Sequence, residues 1–321
     1  MSHGHHIVCA CLGVIVTGTT DVAISQNFPS KPIRFVTGGP TGASGLSARF
    51  VAQGISPSLG QAVVVDNRRG GGGTQADLVA KAAPDGYTLL VSGSSLWVGP
   101  LMTKQSYDPV TDLAPVSLIG RTPLILVVHP SLPVQTVKDL IAYAKARPGK
   151  LNYSTGGIGS TDYLGFEWFK SLTGINVVVI PYPSEAQQLA DLLSGQVQMT
   201  VTTPASIVDQ VKLAKVRALA VTSAEPSLLA PGLPTVAASG VPGFDAVLSV
   251  VMVAPAKTPG TVINRLNQEV LHYLKTADAK ELFLKSGVEI VGSSPEQLAE
   301  TMKTEIARWT KVIRDVGIQL K

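Results

Sequence analysis

Residues 33–45 read Ile33-Arg-Phe-Val-Thr37-Gly38-Gly-Pro-Thr-Gly-Ala-Ser-Gly45. A short apolar run ends in a loop of glycine and hydroxyl residues. Over residues 46–59 apolar side chains then recur at helical spacing, with Gly60 as the stop signal. This is a strand delivering the chain to the start of a helix, and the unit repeats. Residues 63–65 predict a buried strand, 67–73 a glycine-rich tight turn, and 74–83 a helix ended by Pro84-Asp-Gly86. Residues 87–91 predict another strand, followed by Ser92-Gly-Ser-Ser95 and an apolar segment over 96–102. Three strand–helix units in close succession argue for a parallel sheet flanked by helices.

A second set follows. Residues 118–129 look like one long strand, and 134–146 form an amphipathic helix closed by Arg147-Pro-Gly149. Strands are expected at 151–154, 177–180, 197–201 and 216–222, and helices at 161–172, 185–193 and 207–213. One more strand, 248–253, precedes helical segments at 262–274, 279–284 and 295–316. Such a tail packs most simply by returning to the first unit. The chain then crosses between two lobes twice, near 120–128 and 225–250. The expected division is residues 27–125 with 229–321 as lobe 1 and 126–228 as lobe 2. A ligand cleft between them follows, because open α/β sheets bind beyond the carboxyl ends of their strands.

The composition suits this reading. The chain has 321 residues, 45% hydrophobic and 15% charged, with mean hydropathy +0.27. That excludes a disordered chain, and no apolar run approaches the ~18 residues of a membrane span. Aromatic content of 5% and dispersed Lys and Arg argue against a nucleic-acid surface. The net charge of +4 is compatible with anionic small ligands.

Cys9 and Cys11 are the only cysteines, and they sit in the apolar stretch Ile7-Val-Cys-Ala-Cys-Leu-Gly-Val-Ile-Val16. Residues 1–26 read as a secretory signal peptide with cleavage near 23–26, although no Lys or Arg precedes the apolar run. A buried N-terminal strand is the alternative. Removal of the leader leaves no cysteine, and with it no thiol nucleophile, disulfide or thiolate metal site.

Three segments join a strand end to a helix start: residues 38–45 (with Thr41, Gly42, Ala43, Ser44 and Gly45), residues 92–95 (Ser92, Ser94, Ser95) and residues 155–161 (Thr155, Gly156, Ser160, Thr161). A helix N-terminus has unpaired N–H groups and partial positive charge, so it can hold a carboxylate without a charged side chain. Two such sites facing across a cleft would suit a small dicarboxylate. Taken singly, each loop is equally an ordinary capped turn. The run Gly70-Gly-Gly-Gly73 lacks the Lys of a phosphate loop. An enzyme reading lacks parts. His129 and His272 stand alone, there is no G-x-S-x-G elbow, and Asp85, Asp162 and Glu167 read as structural. Neither a catalytic residue, nor a metal site, nor a cofactor is expected.

The ordered set Lys31-Pro-Ile-Arg34, Val64-Val-Asp-Asn-Arg68, Ala83-Pro-Asp-Gly-Tyr-Thr-Leu-Leu90, His129-Pro-Ser-Leu-Pro133, Arg147-Pro-Gly149, Ile180-Pro-Tyr182, Leu192-Leu-Ser-Gly-Gln-Val197, Arg217-Ala-Leu-Ala-Val-Thr-Ser223 and Ala254-Pro-Ala256 resembles the tripartite tricarboxylate transporter substrate-binding proteins, the TctC-like or Bug receptors. The likeness runs colinearly over about residues 28–317. It implies a type II-like, two-lobed venus-flytrap periplasmic binding protein. It also implies capture of a small carboxylate and delivery to membrane permease subunits. The family's site loops fall here on 38–45, 92–95 and 154–161, the turn after Tyr182 (Ser184), and Thr202 with Thr203.

The chain departs from that pattern in four places. Gly45 stands where the family has Asp, Pro183-Ser184 where it has Lys-Gly, Tyr163 where it has His, and Val250-Val251 where it has an aromatic residue and Gly. Loss of the Asp argues against amino-acid ligands. The expectation is a monomeric, periplasmic solute-binding protein for a small organic carboxylate, with no ammonium group on the ligand and no nucleic-acid partner. Ser44, Ser92, Ser94, Ser160 and Thr161 are the expected donors. The rival readings are an orphan sensor presenting its ligand to a regulatory partner, and an enzyme acting on a carboxylate.

Overall fold

The computed structural model describes Met1 and residues 28–40, 42–68, 72–157 and 160–318. The expected leader beyond Met1, both cysteines, Thr41, and Gly70 with Gly71 lie outside the described residues. The opening stretch folds as its spacing predicts. Strand β1 (Ile33–Thr37) leads into helix α1 (Ala43–Leu59), which buries Ala48, Val51, Ala52, Ile55 and Leu59 along one stripe. Gly60 ends it in the left-handed region at φ 64°, its N–H bonded to the Pro57 carbonyl at 3.2 Å.

Strand β2 (Val63–Asn67), helix α2 (Gly72–Ala80), strand β3 (Thr88–Gly93) and helix α3 (Ser95–Met102) complete the first three units. β1 pairs in parallel with both β2 and β3. Two expectations are corrected here. β2 is not buried, because it is the edge of its sheet, and Val64 is 55% exposed. Gly72 and Gly73 open α2 and are not part of a tight turn.

The expected single strand over 118–129 is two strands in two sheets: β4 (Leu113–Pro123) and β5 (Ile125–Val128). Pro123 has no N–H to continue a ladder. Leu124 breaks away and exchanges hydrogen bonds with Thr222, its N–H to Thr222 Oγ1 and its carbonyl to the Thr222 N–H, both at 2.9 Å.

The second sheet gathers helix α4 (Val137–Lys145), strand β6 (Asn152–Thr155), helix α5 (Thr161–Thr173), strand β7 (Val178–Pro181), helix α6 (Glu185–Leu193), strand β8 (Met199–Thr202), helix α7 (Pro204–Lys212) and strand β9 (Arg217–Val221). Its order is β7-β6-β8-β5-β9. Residues 230–236 stay with it: Thr235 bridges Val221, and Ala230 and Leu233 pack against its core.

The chain then returns as strand β10 (Val247–Pro255), antiparallel to both β3 and β4. Helices α8 (Gly260–Leu274) and α9 (Ala277–Lys285), strand β11 (Glu289–Ile290) and helix α10 (Pro295–Asp315) follow. The first sheet runs β11-β4-β10-β3-β1-β2, so it is mixed and not purely parallel. α10 lies over β4 and α3, as a returning tail must. It also reaches α5, where Trp309 meets Trp168 edge-on with ring centroids 5.9 Å apart. Among the described residues, no helix is long and apolar enough to cross a membrane.

Candidate functional site: a cavity at two helix N-termini

β1 and β3 end side by side, so the helices after them start side by side. Their first residues enclose a cavity of about 370 Å³. Gly42, Ala43, Ser44 and Gly45 of the α1 start, and Ser92, Ser94 and Ser95 around the α3 start, line it together with Thr161 from α5. β10 supplies the floor, with Leu248, Ser249 and Val250. The register places Val250 opposite Gly93, which explains how a strand so distant in sequence reaches the site.

The donors here are free. Neither Gly42 before α1 nor Ser94 before α3 caps its helix through a side chain, and neither helix has an acidic residue in its first turn. The first amides of each helix have no intrahelical acceptor, so they open onto the cavity with the positive end of the helix dipole. Among the described residues the hydroxyls of Ser44, Ser92 and Ser95 have no hydrogen-bond partner, although Ser92 is only 8% exposed. These residues line the cavity, where a ligand or water can pair with their hydroxyls. No Lys, Arg, Asp or Glu lines the cavity among the described residues. The surface offers backbone and hydroxyl donors over an aliphatic floor.

Thr161 is the second sheet's contribution, and its Oγ1 lies 3.4 Å from Ser94 Oγ. The other expected second-sheet residues do not line this cavity, and their donors are engaged nearby. Gly156 N–H and Thr155 Oγ1 both donate to Asp162 Oδ2 at 2.8 Å. Ser160 caps α5, accepting from the Tyr163 N–H at 3.4 Å and donating to the Gly157 carbonyl at 2.7 Å. Ser184 caps α6 through the Gln187 N–H at 3.4 Å. Thr202 donates to Glu185 at 2.8 Å, and Thr203 pairs with Ser206 at 2.8 Å. Asp162 therefore has a defined role, which is to close the 155–156 loop. Gln188 Nε2, buried beside that loop, has no partner.

Sequence reasoning missed Gln75, Leu248 and Ser249. Gln75 sits in the first turns of α2 and donates to the Arg68 carbonyl at 2.7 Å. A buried Gln just after a glycine run is a weak local signal. Leu248 and Ser249 carry none, because only the pairing of β10 with β3 brings them in. Of the four departures, Gly45 and Val250 line the cavity and Val251 is core, while Tyr163 packs partly buried against the core. Pro183 lies in the turn before α6.

The profile described as "Tripartite tricarboxylate transporter family receptor" matches residues 47–318. Protein BugT of Bordetella pertussis is 36% identical over 319 residues, 97% of this chain and 98% of that one. Among solved structures, Rpa4515 of R. palustris with adipate has a TM-score of 0.80 at 35% identity, covering 92% of this chain and all of that one (100%). MatC of Rhodopseudomonas palustris with bound malate has a TM-score of 0.74 at 27% identity, covering 89% and 100%. The chain belongs to the tripartite tricarboxylate transporter receptor family, a family of periplasmic receptors and not of enzymes. The two-sheet α/β architecture is theirs.

Proposed function

We propose that this member of the receptor family is exported, binds a small organic carboxylate in the cavity at the α1 and α3 starts, and hands it as a monomer to membrane permease subunits. One observation carries the ligand class. Two uncapped helix N-termini and three unpartnered hydroxyls converge on one cavity that no charged side chain lines among the described residues. Such a site holds an anion by amide dipoles, and it recognises a carboxylate by shape and donor geometry more than by net charge. The adipate and malate of the two R. palustris proteins support the same class.

Gly45 leaves no carboxylate beside that end of the ligand, so an α-ammonium group has no partner there. Gly42, Ala43, Ser44, Gly45, Ser92, Ser94, Ser95 and Thr161 form the gripping set in this reading. In this reading Thr155, Gly156, Ser160, Ser184, Thr202 and Thr203 belong to the facing lobe, outside the cavity itself. The two sheets act as lobes, with the first crossing at Pro123 and Leu124. We place the second crossing near residue 245 and not 228, because Thr235 bridges the second sheet. Closure is then a hinge motion about those crossings.

Thermal-shift screening of the purified protein against a panel of carboxylates, with matched amides and alcohols as controls, tests the reading. Carboxylates at 100 times Kd stabilise by about 2.7 kcal/mol, which is visible as a melting shift. Equal shifts for the neutral controls, or none for any acid, would refute it.

A further inference from the structure

We infer that Asp162 and Glu185 bar a second anion from the far wall, so that this receptor selects acids with one carboxylate and an uncharged opposite end. The inference rests on the carboxylate reading above and goes beyond it to the ligand's other end.

The four helix starts that matter divide by sheet. α1 and α3 carry no acidic residue in the first turn and leave their amides open to the cavity. α5 and α6 each carry one, Asp162 and Glu185. Asp162 does not merely sit at its own helix start. It reaches back across the loop to take the Gly156 N–H and the Thr155 hydroxyl on a single oxygen, each at 2.8 Å. Those are the donors a bound carboxylate would need, and the protein has filled them with its own. Glu185 does the same with the Thr202 hydroxyl at 2.8 Å.

The two walls therefore differ in sign as well as in vacancy. The first offers dipoles with no counter-charge. In the second, carboxylates offset the positive helix ends. Asp162 directly follows Thr161, the second sheet's contact with the cavity. A ligand anchored at α1 and α3 and long enough to pass Thr161 would bring a second carboxylate toward Asp162, where like charges repel. Gln188 Nε2, the free donor beside the 155–156 loop, is neutral and suits a carbonyl or hydroxyl oxygen. Rejection by a like charge is a device for specificity.

The test is calorimetric titration of the full chain with three length-matched pairs: butanoate and succinate, pentanoate and glutarate, hexanoate and adipate. The expected result is that the monoacid of the best-binding pair binds about tenfold or more tightly than its diacid. Asp162→Asn keeps the shape and the acceptor oxygen but removes the charge, and it should narrow that ratio to about threefold or less. A diacid that binds the wild-type chain as tightly as its monoacid overturns the inference, whatever the variant does. A ratio unchanged in Asp162→Asn, with the melting temperature intact, overturns the role of Asp162. Should Asp162→Asn unfold, Glu185→Gln takes its place in the same comparison. If no member of any pair binds at millimolar concentration, the carboxylate reading fails and this inference with it.

Discussion

Gly45 lies so close under Gly39 that a Cβ on residue 45 would stand 2.1 Å from the Gly39 carbonyl oxygen and 3.2 Å from the Pro40 carbonyl carbon. The obstacle is backbone, which cannot swing aside as a side-chain tip can. The glycine is thus the condition for the loop to fold down over the start of α1, and the missing Asp of the family pattern is part of the same packing.

Gly45→Ala should therefore cost about 1–3 kcal/mol of stability through overpacking. It should also lower carboxylate affinity by shifting the 39–40 segment. Gly45→Asp should lose carboxylate binding without acquiring amino-acid binding, because its side chain has no space to reach a ligand. Urea unfolding and calorimetry measure the two effects. An Asp variant that binds amino acids would show that the loop yields freely.

Two serines expected to do the same job do different ones. Ser92 has a free hydroxyl in the cavity wall, whereas Ser160 caps α5. Ser92→Ala should weaken carboxylate binding by about 0.5–1.5 kcal/mol and leave stability nearly unchanged. Ser160→Ala should do the reverse, costing about 1 kcal/mol of stability as a lost N-cap with little effect on affinity. Paired melting curves and titrations separate the outcomes, and a larger affinity loss from Ser160→Ala would return its hydroxyl to the site.

The strand–loop–helix rhythm was legible because its signals are local. Ile33–Thr37, the glycine and serine loop, and the apolar stripe ending at Gly60 each announce themselves within a few residues. The family resemblance rested on the same short-range markers. What stayed hidden depends on partners far away. Val63–Asn67 reads as buried until its place at the sheet edge is known. Residues 118–129 read as one long strand, and only Pro123 hints that they serve two sheets. Ser160 and Ser92 look alike in sequence, because whether a hydroxyl is free depends on which neighbours have already taken it. Asp162 read as a structural side chain. That was right about its hydrogen bonds and silent about its sign.

Arg308 ties the returning helix to the segment before β10. It pairs with Asp245 at 3.3 Å and with Glu305, and its guanidinium lies 5.7 Å from the Trp168 ring and 5.4 Å from Trp309. One side chain thus joins α10, the segment before β10, and α5. Arg308→Met should cost about 1–3 kcal/mol, since it leaves two partly buried carboxylates without their cation while keeping the aliphatic stem. Trp168 and Trp309 report the change directly. Their fluorescence should shift in the variant, and ligand should restore less of the wild-type spectrum if the joint holds the sheets together. An unaltered spectrum and melting curve would remove Arg308 from that role.

Tyr107 supports the cavity from behind. Pro100 lies inside α3 and has no N–H to give the Leu96 carbonyl one turn back. Tyr107 fills that vacancy, its hydroxyl donating to Leu96 O at 2.7 Å. Tyr107→Phe leaves the carbonyl unpaired in a buried place and should cost about 1–3 kcal/mol at neutral pH. The pH dependence gives a second reading of the same bond. Burial pushes the Tyr107 phenol up to about 12, whereas in the unfolded chain tyrosine ionises near ~10. Between those values the unfolded chain gives up the proton and the folded protein keeps it. The stabilisation is therefore complete below pH ~10 and is lost as the pH rises toward 12. Urea unfolding from pH 8 to 11.5 should show wild-type stability falling more steeply than that of Tyr107→Phe, so that the two curves converge. Parallel curves would mean that the phenol ionises as freely in the folded protein as in the unfolded chain, and that α3 is held in place by other contacts.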